Sequence, residues 1–226
     1  LQVQALGARG IEVAQAEMAE DVEGDERGDA LAVGGDLENL VTGEAGGDAV
    51  ADILFGDVNP AGRLPITFPK AEGQLPFVYN HKPTGRGDDY YDLTGQPLFP
   101  FGYGLSYTEF AYSDLSISPA EVGTSDTAIV SFTLTNVGLR NGDEVAQLYL
   151  RDRLASVARP VQELKGFQRI HLNPGESRKL SFAITPDLLT MLDAQLKPTI
   201  EPGEFRIMIG ASSRDIRLHG TLVVRQ

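Results

Sequence analysis

The sequence predicts an α+β chain in two parts: a mixed helical and extended region over residues 1–107, then an all-β sandwich over residues 108–226. Three observations carry this reading. Short runs of alternating apolar and polar residues follow one another through the second part. Turn dipeptides, Asn141-Gly142, Pro174-Gly175 and Pro202-Gly203, fall between those runs. The first part instead joins a helical run to FGDVNPAGRLPITFP (55–69), fifteen residues that hold two glycines and three prolines.

The strands come first because they are the easiest to justify. In Ala128–Thr135, Ala128, Val130, Phe132 and Leu134 face one way and Ser131, Thr133 and Thr135 the other, the period of a half-buried strand. Asn141-Gly142 tolerates the positive φ of a type I′ hairpin, so Glu144–Leu150 is expected to return as the partner strand. Pro174-Gly175 separates the run ending at Leu172 from Lys179–Ile184, and Pro202-Gly203 introduces Glu204–Ile209; proline followed by glycine suits a type II turn. With Asp114–Ser118, Gln162–Phe167 and Arg217–Val224 the total reaches about seven strands, the number of a β-sandwich. A Greek-key barrel shares the pattern and stays open as the alternative.

In the first part, Leu31–Val33 followed by Gly34-Gly35 reads as a strand and a loop. Ala45–Phe55 reads as a helix: Ala49, Val50, Ile53 and Leu54 recur three and four apart. Asp48 lies in the first turn where the dipole favours an anion, and Gly56 can close the end in a left-handed conformation. Leu64, Ile66 and Phe68 then alternate between Pro65 and Pro69, which confines the segment to an edge strand or an extended loop. The crowded glycines and prolines stop a helix, reverse the chain and run it extended outside any sheet interior.

Composition narrows the partners. With 32 Asp and Glu against 19 Lys and Arg, the formal charge of -13 repels phosphate backbones and anionic lipid, so no nucleic acid and no membrane partner is expected. No apolar run reaches the roughly 18 residues of a spanning helix. Leu1–Leu6 carries neither an initiator Met nor a charged leader, which reads as an internal piece of a longer chain. The absence of cysteine excludes disulfides and thiol chemistry but fits several compartments; periplasm or secretion is preferred to cytoplasm.

Longer motifs point to a family. Gly43–Pro69 (GEAGGDAVADILFGDVNPAGRLPITFP), Leu75–Lys82 (LPFVYNHK), Pro97–Thr108 (PLFPFGYGLSYT), Asn136-Val-Gly138 and Pro160–Phe167 (PVQELKGF) resemble, in order, the family three glycoside hydrolases, the β-glucosidases and β-xylosidases. Asp21–Asp25 is a shorter echo of an upstream segment. The resemblance implies a partial α/β sandwich domain with an interdomain loop (1–107), then a fibronectin type III-like, immunoglobulin-like sandwich (108–226). It also implies a (β/α)8 barrel that no part of this chain resembles. The implied substrate of the complete enzyme is a β-linked oligosaccharide or an aryl glycoside, with the barrel as the missing partner. A non-enzymatic carbohydrate-associated binding or stabilising module is the alternative.

A retaining glycosidase needs two carboxylates about 5 Å apart across the scissile bond. In the family the nucleophilic Asp lies on the barrel, so no residue here inherits that role. The general acid falls in an interval that shrinks here to Glu26–Thr42, so the expected catalytic set is empty and the isolated chain is expected to be inactive. Asp36 and Glu38 follow a strand-like run, but a solvated loop is the preferred reading; Glu44 is assigned to the first turn of the helix. His81, His171 and His219 lack metal-ligand spacing, so no metal and no cofactor is expected. Gly102–Ser106 fails the nucleophile-elbow pattern, Gly7–Gly10 fails the phosphate-loop pattern, and Asp21–Asp29 fails the calcium-loop pattern. The tripeptides Arg27–Asp29 and Arg86–Asp88 carry too little information to imply adhesion. Asn80–Tyr91 mixes tyrosines with charges and no periodicity, the composition of a sugar-contacting loop. From it His81, Lys82, Arg86 and Tyr90 are taken as substrate-bordering residues, with interdomain packing as the alternative.

Overall fold

The computed structural model describes residues 46–84 and 94–226. The expected strand at Leu31–Val33, and Asp36, Glu38 and Glu44, lie outside the described residues, as does the acidic stretch Asp21–Asp29. In chain order the elements are helix α1 (Gly46–Phe55), a 3-10 turn (Glu72–Gln74), and strands β1 (Phe110–Ser118), β2 (Glu121–Val122), β3 (Ala128–Asn136), β4 (Gly142–Asp152), β5 (Glu163–Leu172) and β6 (Ser177–Ile184). A one-turn helix α2 (Pro186–Leu189) follows, then β7 (Met191–Leu192), β8 (Pro198–Thr199), β9 (Gly203–Gly210) and β10 (Ile216–Val224). Among the described residues no helix is long and apolar enough to cross a membrane.

Among the described residues seven long strands form a sandwich. One sheet runs β2-β10-β9-β4-β5 and the other β1-β3-β6, while β7 and β8 pair with each other. The predicted alternation of β3 is what buries it: Ala128, Val130, Phe132 and Leu134 are all fully enclosed. They pack with Leu180, Phe182 and Ile184 of their own sheet and with Ala146, Leu148, Phe205, Ile207 and Ile209 of the other. Phe132 stacks between Tyr112 at 5.9 Å and Phe182 at 6.2 Å, both nearly parallel to it. Each large side chain so enclosed contributes about 1.5–3 kcal/mol by leaving water.

Two turn expectations are corrected. Asn141-Gly142 does not close a hairpin, because β3 and β4 belong to different sheets and β4 pairs instead with β5 and β9. The side chain of Asn136 organises the crossing. Its Nδ2 donates to the carbonyls of Arg140 (2.7 Å) and Leu172 (3.0 Å), and its Oδ1 accepts from the Thr108 hydroxyl (2.7 Å) and the Gly138 amide (3.1 Å). Gly142 is needed for close approach instead, since a Cβ there would run into the Asn59 carboxamide. Pro174-Gly175 does turn, with Gly175 at φ +76°, but it carries the chain from β5 across to β6 in the opposite sheet. Gly203 has no left-handed φ and simply begins β9.

The earlier region behaves as its punctuation predicts. Helix α1 ends in a Schellman closure: Gly56, at φ +82°, donates to Ile53 (3.1 Å), and Asp57 donates to Asp52 (2.8 Å). The chain then runs extended over residues 56–84 and 94–107 as a strap. Leu64 donates to Tyr103 (2.8 Å) and accepts from Gly102 (2.8 Å), while Phe68 donates to Phe99 (2.9 Å) and accepts from Leu98 (2.8 Å). Only Leu64 of the expected alternating trio is buried; Ile66 is half exposed. The strap covers part of the outer face of the five-stranded sheet, which is why β4 is buried from Glu144 to Leu150 on successive residues rather than alternate ones.

Candidate functional site

The predicted substrate-bordering loop has a rigid root. Gln74, which is 2% exposed, holds both ends of the loop: its Oε1 accepts from the amides of Lys70 (2.6 Å) and Ala71 (3.3 Å), and its Nε2 donates to the carbonyl of Thr94 (2.9 Å). Tyr79 then plugs the strap into the sheet. Its ring stacks on Phe101 at 4.2 Å and meets Tyr149 edge-on at 5.9 Å. Its hydroxyl accepts the amide of Leu164 (3.1 Å) at a β-bulge, where β5 slips register against β4 between Leu148 and Tyr149. Burial first, then the nearby Glu163 charge, holds the Tyr79 phenol above its ordinary pKa against the Leu164 bond, so it stays neutral.

Beyond that root the described part of the loop, residues 81–84, reaches solvent. His81 accepts the Val161 amide on its carbonyl (2.9 Å), and its Nδ1 lies 2.9 Å from the Lys82 carbonyl, a contact that requires the proton on Nδ1. Lys82, Pro83 and Thr84 are exposed. The structure therefore places His81 and Lys82 side by side at the loop mouth, while Arg86 and Tyr90 lie outside the described residues.

A second set of polar residues joins strap to sandwich, and sequence reasoning missed it. Arg63 donates to Glu144 at 2.8 Å with both side chains about 95% enclosed, and the Tyr112 hydroxyl donates to the other Glu144 oxygen at 2.8 Å. Burial pushes the Glu144 carboxyl above its ordinary value, with Arg63 first and Tyr112 next opposing it. The Tyr112 phenol is raised too, by burial and then by the Glu144 charge. A raised carboxyl inside a fold invites a general-acid reading. Here both oxygens are already taken by strap and strand, so the group is a joint.

Gln147 and Tyr149 make a parallel connection. Gln147 is fully buried on the outer face of β4, donates to the carbonyls of Gly102 (3.1 Å) and Ala211 (2.7 Å), and accepts from the Tyr149 hydroxyl (2.5 Å). Asn59 adds a third: its Nδ2 donates to the Asn141 carbonyl (2.9 Å), and its Oδ1 accepts from Ser106 (3.1 Å) and from the Tyr107 amide (2.8 Å). Ser106 is thus occupied within the strap. The one legible signal was Gln147 itself, a lone polar residue within VAQLYL (145–150). Among the described residues no group of three His, Asp or Glu side chains could hold a metal, and His171 and His219 lie on β5 and β10.

Comparison with known proteins decides the family. The glycosyl hydrolase family 3 C-terminal domain matches residues 3–107, and a fibronectin type III-like domain matches residues 144–213. This chain is family 3 glycosyl hydrolase sequence. It is 42% identical over 206 residues to a periplasmic β-glucosidase of Salmonella typhimurium, covering 87% of this chain and 26% of that protein. It is 46% identical over 181 residues to a β-xylosidase of Formosa agariphila, covering 79% of this chain and 25% of that one. A solved β-glucosidase from Listeria innocua, in complex with glucose, superposes with a TM-score of 0.76 at 36% identity over 80% of this chain and 26% of its own. The chain thus spans about a quarter of the length of these relatives. The family's α/β layer followed by a β-sandwich is the architecture read from the sequence.

Proposed function

We propose that this chain is the C-terminal scaffold of a β-glucosidase-type hydrolase of O-glycosidic bonds, divided after Tyr107, whose nucleophile is supplied by residues outside these 226. The substrate is a β-linked oligosaccharide or aryl glycoside, and the barrel domain that carries the nucleophile is the partner against which the strap sits. His81, Lys82, Arg86 and Tyr90 border the sugar and do not react with it. The observation that carries this reading is the loop root. Gln74 ties the two ends of the loop together, and Tyr79 and the His81 carbonyl bond it to Leu164 and Val161 of the sandwich while Lys82 stays exposed, the construction of a presenting loop on a rigid scaffold. The apolar side chains Phe55 (84% exposed) and Leu54 (64%) on α1 support a neighbouring layer packed against the first part of the chain.

Two measurements test it. The 226-residue chain, incubated with a 2-deoxy-2-fluoro β-glucoside and examined by intact-mass and peptide spectrometry, is expected to gain no covalent sugar. An adduct on any of its Asp or Glu residues overturns the reading. In a version extended to include a barrel, Lys82→Ala and Tyr90→Phe are expected to raise KM for an aryl β-glucoside with kcat little changed. A loss of kcat with KM unmoved contradicts the bordering role.

A further inference from the structure

We propose that the outer face of the five-stranded sheet, beside the strap, carries an oxyanion-binding site built from Arg151, Arg206, His219 and Thr221. In the β4–β9 register Arg206 stands directly opposite Arg151, and in the β9–β10 register directly opposite Thr221. Like charges facing each other across a strand pair destabilise a sheet. Among the described residues neither Arg151 nor Arg206 has a carboxylate partner, although the chain carries 32 Asp and Glu and a formal charge of -13. The nearby acids are already paired: Glu204 with Arg153 at the edge of the cleft (2.6 Å), Glu121 with Arg225 (2.9 Å), and Glu163 with Arg159 (2.7 Å).

Arg206, His219 and Thr221 border a real concavity, and Arg151 stands across the strand pair from Arg206. A cleft of about 260 Å³ is lined by Arg153, Arg206, His219, Gly220 and Thr221. That is slightly below the roughly 300 Å³ at which pockets for drug-sized ligands begin, so its occupant is small. Arg206 Nη2 lies 3.2 Å from His219 Nδ1, so the guanidinium donates to a neutral imidazole and keeps its other N–H groups for an outside acceptor. Burial, and then the Arg206 charge, holds His219 below its ordinary pKa, consistent with that neutral form. Two guanidinium forks and a threonine hydroxyl match the oxygens of a carboxylate or phosphate group, free or carried on an acidic sugar. The site stands independently of the hydrolase reading, since every residue in it belongs to the sandwich.

The test is an NMR titration of the 226-residue chain at low salt with inorganic phosphate, galacturonate and, as the neutral control, glucose. Phosphate or galacturonate is expected to shift the His219 ring resonances saturably, and glucose is not. The tighter of the two anions tells whether a phosphate or a sugar-borne carboxylate is the natural group. Arg206→Gln is expected to weaken binding about tenfold, as loss of a charged hydrogen-bond donor does, while Arg178→Gln on the opposite sheet leaves it unchanged. Without added anion, Arg151→Gln is expected to raise the thermal midpoint, and phosphate to erase that gain. Absence of a saturable shift with either anion, equal affinity in Arg206→Gln, or glucose binding as well as galacturonate overturns the proposal.

Discussion

The sandwich and the strap are held together by different physics. The sandwich owns its core: nineteen buried residues between Phe110 and Val224 pack against one another, and among the described residues none before Phe110 contributes to that cluster. The strap and α1 have almost none. Of the helix only Ile53 is buried, while Leu54 and Phe55 face solvent, and the strap's Phe101 is enclosed because it packs with Tyr149 and Met208 of the sandwich. What fixes the strap is a series of directed bonds through Asn59, Arg63, Gln74 and Tyr79. An apolar core tolerates small shifts in its neighbours, whereas a buried hydrogen bond that loses its partner costs about 1–3 kcal/mol. The strap is therefore sensitive to single polar changes that would pass unnoticed on an exposed surface.

Substitutions that break this contrast can be ranked. Phe132→Ala opens a cavity between Tyr112 and Phe182 and is expected to cost about 3–5 kcal/mol. Urea unfolding should show strap and sandwich destabilised together; a strap that keeps its stability would mean that it has a core of its own. Next, Arg63→Met leaves Glu144 buried without its cation, at about 3 kcal/mol. Glu144 already holds its proton to higher pH in the folded state than its ordinary 4.5, so its contribution to stability is full below that value and falls as pH climbs towards the raised one. Removing Arg63, the largest opposing influence, extends that window upward. The variant is expected to lose stability more steeply than the parent above pH 4.5, and parallel pH profiles would refute the joint.

Gln147→Ala is a smaller probe and discriminates better. It strands the Gly102 and Ala211 carbonyls at about 2 kcal/mol, and limited proteolysis should nick residues 98–103 sooner while β3 stays resistant. Equal resistance would show that packing alone seats the strap. Smallest is Tyr79→Phe, which forfeits one bond to Leu164 at about 1 kcal/mol. Its expected signature is faster exchange of the Leu164 amide with the ring stack on Phe101 retained.

The same contrast explains what could be read from the sequence. β3 and β10 were legible because a one-sided strand alternates, and α1 with its Gly56 closure because helix ends carry local signals. The β3–β4 hairpin was misread because Asn141-Gly142 is permissive for a turn without dictating which strand it joins. The long-range bonds of Asn136 and the two-faced burial of β4 decided that. The Arg63–Glu144–Tyr112 joint left no trace either, since its members lie up to 81 positions apart and each looks like an ordinary surface residue in isolation. For the candidate site, composition singles out the loop and proposes His81 and Lys82 as bordering residues, but it carries no sign of the Gln74 and Tyr79 bonds that hold the loop's root.

Native-state hydrogen exchange on the 226-residue chain tests the dependence of strap on sandwich most directly. The amides of Leu64, Phe68 and Gly102 are expected to open with a free energy well below that of the β3 and β4 amides, and Gln147→Ala to lower the first set alone. Uniform protection across both sets, moving together in Gln147→Ala, would contradict it.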